Sequence, residues 1–153
     1  MNLRAQNKFI VSLLLLLIAS FLQFNFKLHF GWTPEFAMAT LVVFGFYLGF
    51  LEIAFLCALG VFLFNWMPLP GFEILFFFLL PFLVLSARKI FPWKSEVNNV
   101  LIVSVSAFLF YAISDWSVIS GNAFLFGLIL IGTAAFGAAI FQILNYFYKL
   151  SPI

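Results

Sequence analysis

Apolar residues fill six runs along the chain, at 9–26, 36–50, 53–67, 72–87, 97–113 and 123–148, with short polar stretches between them. Runs such as Phe76-Phe77-Phe78 leave no polar stripe at the helical period, and a helix that is apolar all round belongs in lipid or in a buried core. Transmembrane β-strands would need segments of about ten residues that alternate polar and apolar. The chain has no such pattern. It predicts an all-α fold, a polytopic membrane protein in which residues 1–153 form one six-transmembrane-helix bundle with neither repeat nor linker.

The first run follows Arg4 and Lys8, as a signal peptide would. Ala19-Ser20 runs straight on into Phe21-Leu22 without a small-x-small cleavage site, so the run is expected to stay as the first span. A polar loop is expected over 27–35, containing His29, Gly31, Trp32 and Pro34. The stretch 36–67 carries one charge, Glu52. As a single helix it would be about 48 Å long, against a hydrocarbon core of about 30 Å. A hairpin of two short spans fits better, turning near Gly49-Phe50-Leu51-Glu52, where glycine relaxes the backbone. Pro68-Leu69-Pro70-Gly71 marks the next break. Pro81 lies inside the fourth span and removes a hydrogen bond to Phe77, so a kink is expected there. Polar stretches at 88–96 and 114–122 separate the last three spans.

Charge tests the hairpin independently. Lys and Arg collect in cytoplasmic loops. Six spans with both ends of the sequence in the cytoplasm place Arg4, Lys8, Arg88, Lys89, Lys94 and Lys149 inside and only Lys27 outside. A single span over 36–67 would leave Arg4 and Lys8 inside and the other five outside. The tryptophans fit the six-span map: Trp32, Trp66 and Trp116 fall at outer ends and Trp93 in an inner loop, where indole favours the headgroup region. A ligand pocket built from the three outer tryptophans is the alternative use of them.

Composition narrows the function. Hydrophobic residues make up 66% of the chain and charged residues 8%, against about 25% charged in soluble domains. That surface belongs in a lipid bilayer, and a net charge of +2 gives no footprint for nucleic acid. The single cysteine, Cys57, excludes an internal disulfide and a cysteine-based metal site. The acidic residues and His29 show no metal-ligand spacing, no glycine-rich phosphate loop is present, and no nucleophile–base set assembles. Neither enzyme activity nor a cofactor is expected. His29 shares the outer side with Asp115 and Glu73, and a solvated loop histidine is the simpler reading.

Glu52 carries the most information among the acids, because a carboxylate at membrane depth is usually paired or functional. On the six-span map it lies on the side of Arg88, so a structural ion pair between Glu52 and Arg88 is one expectation, and a carboxylate reaching interfacial water is the other. Glu73 opens a helix, where negative charge complements the dipole, and Asp115 reads as a turn residue. In the last span Gly132, Ala134, Ala135, Ala138 and Ala139 permit close helix approach, either inside the bundle or against a partner.

The order of features resembles the rod shape-determining protein MreD family. Trp32-Thr33-Pro34-Glu35 leads into the second span, residues 59–71 (LGVFLFNWMPLPG) resemble the family's glycine-rich span and Pro/Gly turn, and Thr133-Ala134-Ala135 with Leu144-Asn145-Tyr146 is similar to its closing helix. At the position where the family commonly has an aspartate, this chain has Asn65. The resemblance implies a non-enzymatic scaffold of the bacterial cytoplasmic (inner) membrane. Such a subunit helps maintain cell shape, positions peptidoglycan synthesis, and binds membrane proteins such as an MreC-like subunit. The S components of energy-coupling factor transporters are similar six-helix bundles, and substrate binding is the alternative function. They typically show Ala-x-x-x-Ala in the first span, which IVSLLLLLIASFLQF lacks.

Overall fold

The computed structural model describes residues 3–64, 73–88 and 96–149. Among them are seven helices and no strand: α1 (Leu3–Phe30), α2 (Phe36–Tyr47), α3 (Phe50–Phe64), α4 (Glu73–Ala87), α5 (Glu96–Ser114), the short α6 (Trp116–Gly121) and α7 (Ala123–Lys149). Three of these, in α1, α5 and α7, are long and apolar enough to cross a membrane. The chain has the makings of a membrane protein. The Pro68–Gly71 break, Asn65, Trp66, Lys89, Trp93 and Lys94 lie outside the described residues.

The helices other than α6 run alternately up and down. Gly60 sits against Leu41 and Gly49 beside Glu52, so α2 and α3 are antiparallel neighbours. Phe77 of α4 meets Gly60 near one end and Phe82 meets Phe50 near the other, which reverses direction again. Across α5 and α7, Tyr111 meets Phe126 edge to face while Asn99 reaches Gly137. Near the start of α1, Phe9 packs on Phe55, close to the start of α3. The lower end of the bundle therefore collects the start of α1, the α2–α3 turn, Arg88, the start of α5 and the end of α7. The upper end holds Phe30 to Glu35 and α6.

Chemistry at the helix ends moves the boundaries slightly. α1 continues through Lys27 and His29 to Phe30, about one turn into the stretch expected as loop. Basic side chains in a last turn complement the helix dipole. Gly31 at φ 71° then closes the helix, its amide bonding the Lys27 carbonyl at 3.0 Å, as glycine does at many helix C-termini. The break between α2 and α3 falls at Leu48-Gly49, and Phe50 to Glu52 already belong to α3.

The core is built around α2. All ten residues from Phe36 to Gly45 are buried, and α1, α3, α4, α5 and α7 pack around them. A helix of twelve residues spans about 18 Å, well short of a hydrocarbon core of about 30 Å. Protein surrounds it. Non-helical backbone at membrane depth is tolerated where protein buries it. Close approach is possible because Gly45 has no side chain: a Cβ there would lie 2.8 Å from the Pro81 carbonyl oxygen and 2.9 Å from Val84 Cβ. The outer helices show apolar faces instead. On α1, Ile10, Leu14, Leu17, Phe21, Phe24 and Leu28 form one exposed stripe at spacings of three and four.

Candidate functional site

A short buried helix leaves amides at its start and carbonyls at its end that need partners. Several polar side chains meet those two ends. At the upper end, the Glu35 amide donates to Thr133 Oγ1 of α7 at 3.0 Å, and Thr133 Oγ1 donates in turn to the Ile129 carbonyl. The Ala37 amide donates to Gln23 Oε1 of α1 at 2.9 Å, and the Phe36 amide to the Pro34 carbonyl. Two neighbouring helices thus cap α2, whose own N-cap residue, Glu35, makes no side-chain capping bond.

The Glu35 carboxylate ties those neighbours together. Its Oε2 accepts from Gln23 Nε2 at 2.8 Å, and its Oε1 accepts from the Tyr111 hydroxyl of α5 at 2.9 Å. Gln23, Tyr111 and Thr133 are all buried. Hydrogen bonds to a charged group contribute about 1.5–3 kcal/mol each, and the anion lies at the positive end of the α2 dipole. Pro34 fits into this cluster because Gly132 is bare; a Cβ there would come within 2.8 Å of Pro34 Cγ.

At the lower end, Glu52 Oε2 accepts from the Gly49 amide at 2.9 Å, and Arg88 Nη1 donates to the Gly45 carbonyl at 3.3 Å. Glu52 and Arg88 therefore flank one turn, each ending on its backbone. Partial burial lowers the Arg88 pKa from its ordinary value, yet an arginine stays charged at any physiological pH.

The other residues singled out in the sequence are scattered. Gly132 and Ala134 face inward, Ala138 is half-buried, and Ala135 and Ala139 are exposed. His29 is exposed, with Nδ1 2.9 Å from the Asn25 carbonyl of its own helix. Asp115 precedes α6 and accepts from the Ser117 hydroxyl. Glu73 begins α4, and its side chain lies outside the described residues. Cys57 is buried in the core. Trp32 is half-buried beside Phe30, and Trp116 is exposed, both at the upper end. Ser12 Oγ and Asn99 Oδ1 are buried without a hydrogen-bond partner among the described residues.

The sequence did not bring out Gln23 or Tyr111, and Thr133 entered only within the Thr133-Ala134-Ala135 passage. The signal was present for Gln23, a carboxamide inside an otherwise apolar span. Chemically, the upper cluster is a set of mutually satisfied donors and acceptors that locks four helices together. No group of three or more His, Cys, Asp or Glu side chains suited to a metal ion occurs among the described residues. No protein-family model, curated protein or solved structure matches this chain.

Proposed function

We propose that the chain is a non-enzymatic membrane scaffold that crosses the bacterial inner membrane six times, with both ends of the sequence in the cytoplasm, and that it acts as an MreD-like subunit in cell-shape maintenance and peptidoglycan synthesis. The observation that carries this reading is the use made of its few polar groups. Glu35, Gln23, Tyr111 and Thr133 at one end of α2, and Glu52 and Arg88 at the other, hold helices to one another. A transporter subunit would instead need polar groups converging on a ligand cavity.

The alternating helix directions support six crossings, since they gather Lys8, Arg88 and the end of α7 at one end of the bundle. By the positive-inside rule that end faces the cytoplasm. The short α2 crosses as a shielded post, with its ends met by side chains below the membrane surface.

Two measurements test the reading. A tag fused after Ile153 is expected to be inaccessible from outside intact cells, and an externally accessible tag would overturn the topology. Pull-down from the native membrane is expected to recover an MreC-like partner. Recovery of a tightly bound vitamin or of ATPase coupling subunits would replace the scaffold by the S-component reading.

A further inference from the structure

The Pro81 carbonyl and Val84 press onto Gly45, which draws α4 toward α2. The seam between α4 and α5 is thinly packed. It opens a groove of about 220 Å³ lined by Phe46, Leu80, Val84, Ala87, Leu101 and Val105, with Ser106 as its only polar lining residue. The wall residues run from 80 to 87 on α4 and from 101 to 109 on α5, a length of about 10–12 Å along the helices at 1.5 Å per residue.

We propose that this groove holds one acyl chain of an anionic phospholipid whose phosphate is bound by Arg88. This rests on the bilayer placement proposed above. The groove runs along the bundle axis, the direction in which acyl chains lie in a membrane. A second helix, about 10 Å across, is too wide for this volume, whereas the half of a flexible hydrocarbon chain nearest its headgroup fits. The lower end of the groove at Ala87 adjoins Arg88. Among the described residues its guanidinium makes one hydrogen bond, to the Gly45 carbonyl, and an arginine has five N–H donors. Guanidinium matches phosphate geometry in a bidentate manner. The acids at this end are Glu52, which is held by the Gly49 amide, and Glu96, which is exposed at the start of α5. The headgroup belongs to the leaflet on the Arg88 side, which is the cytoplasmic one in the proposed topology.

The test is electron paramagnetic resonance on the full chain reconstituted in phosphatidylcholine bilayers with chain-labelled phosphatidylglycerol or phosphatidylcholine as probe. The phosphatidylglycerol probe is expected to enter the motionally restricted component with about fivefold preference, in line with one basic side chain near the membrane surface. Arg88→Gln is expected to lower the preference several-fold, to what the other bases on that side sustain. Val105→Trp, or Leu101→Trp if the first variant does not fold, is expected to fill the groove and remove the preferred site with Arg88 intact. Equal restriction of the two probes would overturn the proposal, as would a preference that survives both kinds of variant undiminished. Flotation separates the two readings. Protein that floats with the bilayers but shows no preference sinks the lipid site alone, whereas protein that associates with neither lipid sinks the membrane placement too.

Discussion

The Tyr111 hydroxyl donates to Glu35 Oε1 at 2.9 Å, tying α5 to the head of α2 across 76 residues of sequence. Tyr111→Phe removes that donor from a partly buried carboxylate. Such a loss costs about 1–3 kcal/mol. A lower midpoint in denaturant titrations of detergent-solubilised protein, followed by circular dichroism, is the expected result.

Gln23 and Asn99 are both buried amides on helices, yet their removal should differ in effect. Gln23 serves Glu35 and the Ala37 amide together. Gln23→Leu therefore removes two hydrogen bonds and is expected to destabilise by about 2–4 kcal/mol. Asn99 makes one 3.3 Å bond to the Gly137 carbonyl, and its Oδ1 has no partner among the described residues. Asn99→Leu is expected to change stability by less than about 1 kcal/mol. The same unfolding assay, run on both variants, compares them directly.

Glycine positions give a second contrast. Gly45→Ala drives a methyl into the Pro81 backbone and Val84, with no flexible side-chain end to yield, and overpacking of this kind costs about 1–3 kcal/mol. Gly127 on α7 has nothing within 4 Å of a new Cβ, so Gly127→Ala is expected to be neutral or to gain up to about 1 kcal/mol from helix propensity. Thermal melts of the two variants should move in opposite directions or differ clearly in size.

Charge swaps at the lower turn separate pairing from backbone capping. If Glu52 and Arg88 attract each other, Glu52→Arg combined with Arg88→Glu restores what each single change loses. The contacts are to the Gly49 amide and the Gly45 carbonyl, which a swap would confront with the wrong polarity. The double variant is therefore expected to remain as impaired as the worse single one. Glu52→Gln, which keeps an acceptor for the amide, should retain most of the stability. Yield of folded protein after membrane extraction reads both outcomes.

Much of the layout was legible in the sequence because apolar runs and glycine or proline breaks are one-dimensional signals. The turn expected near Gly49 falls at Leu48-Gly49, and α5 and α7 begin and end within a residue of their expected limits. The orientation of each helix about its own axis was not legible. The run 36–47 and the run 9–26 look equally apolar, yet α2 is walled in on every side while α1 keeps one face outward. A helix that is apolar all round carries no mark of which side is inner. For the same reason the alanine pairs of α7 could not be divided in advance into Ala134, which is buried, and Ala135, which is exposed. The meeting of Gln23, Glu35, Tyr111 and Thr133 depends on those rotations and on four helices at once, so no local spacing announces it.

The wrapping of α2 has a consequence for synthesis. Its start is secured by Gln23, made before it, but also by Tyr111 and Thr133, the latter bonding Glu35 from 98 residues downstream. While a ribosome is still translating the third and fourth helices, the second has no α5 or α7 around it and must wait half-dressed. A chain cut short before α7 would leave that helix uncovered along a whole side and without its Thr133 cap, in the proposed topology a form suited to removal by membrane quality control.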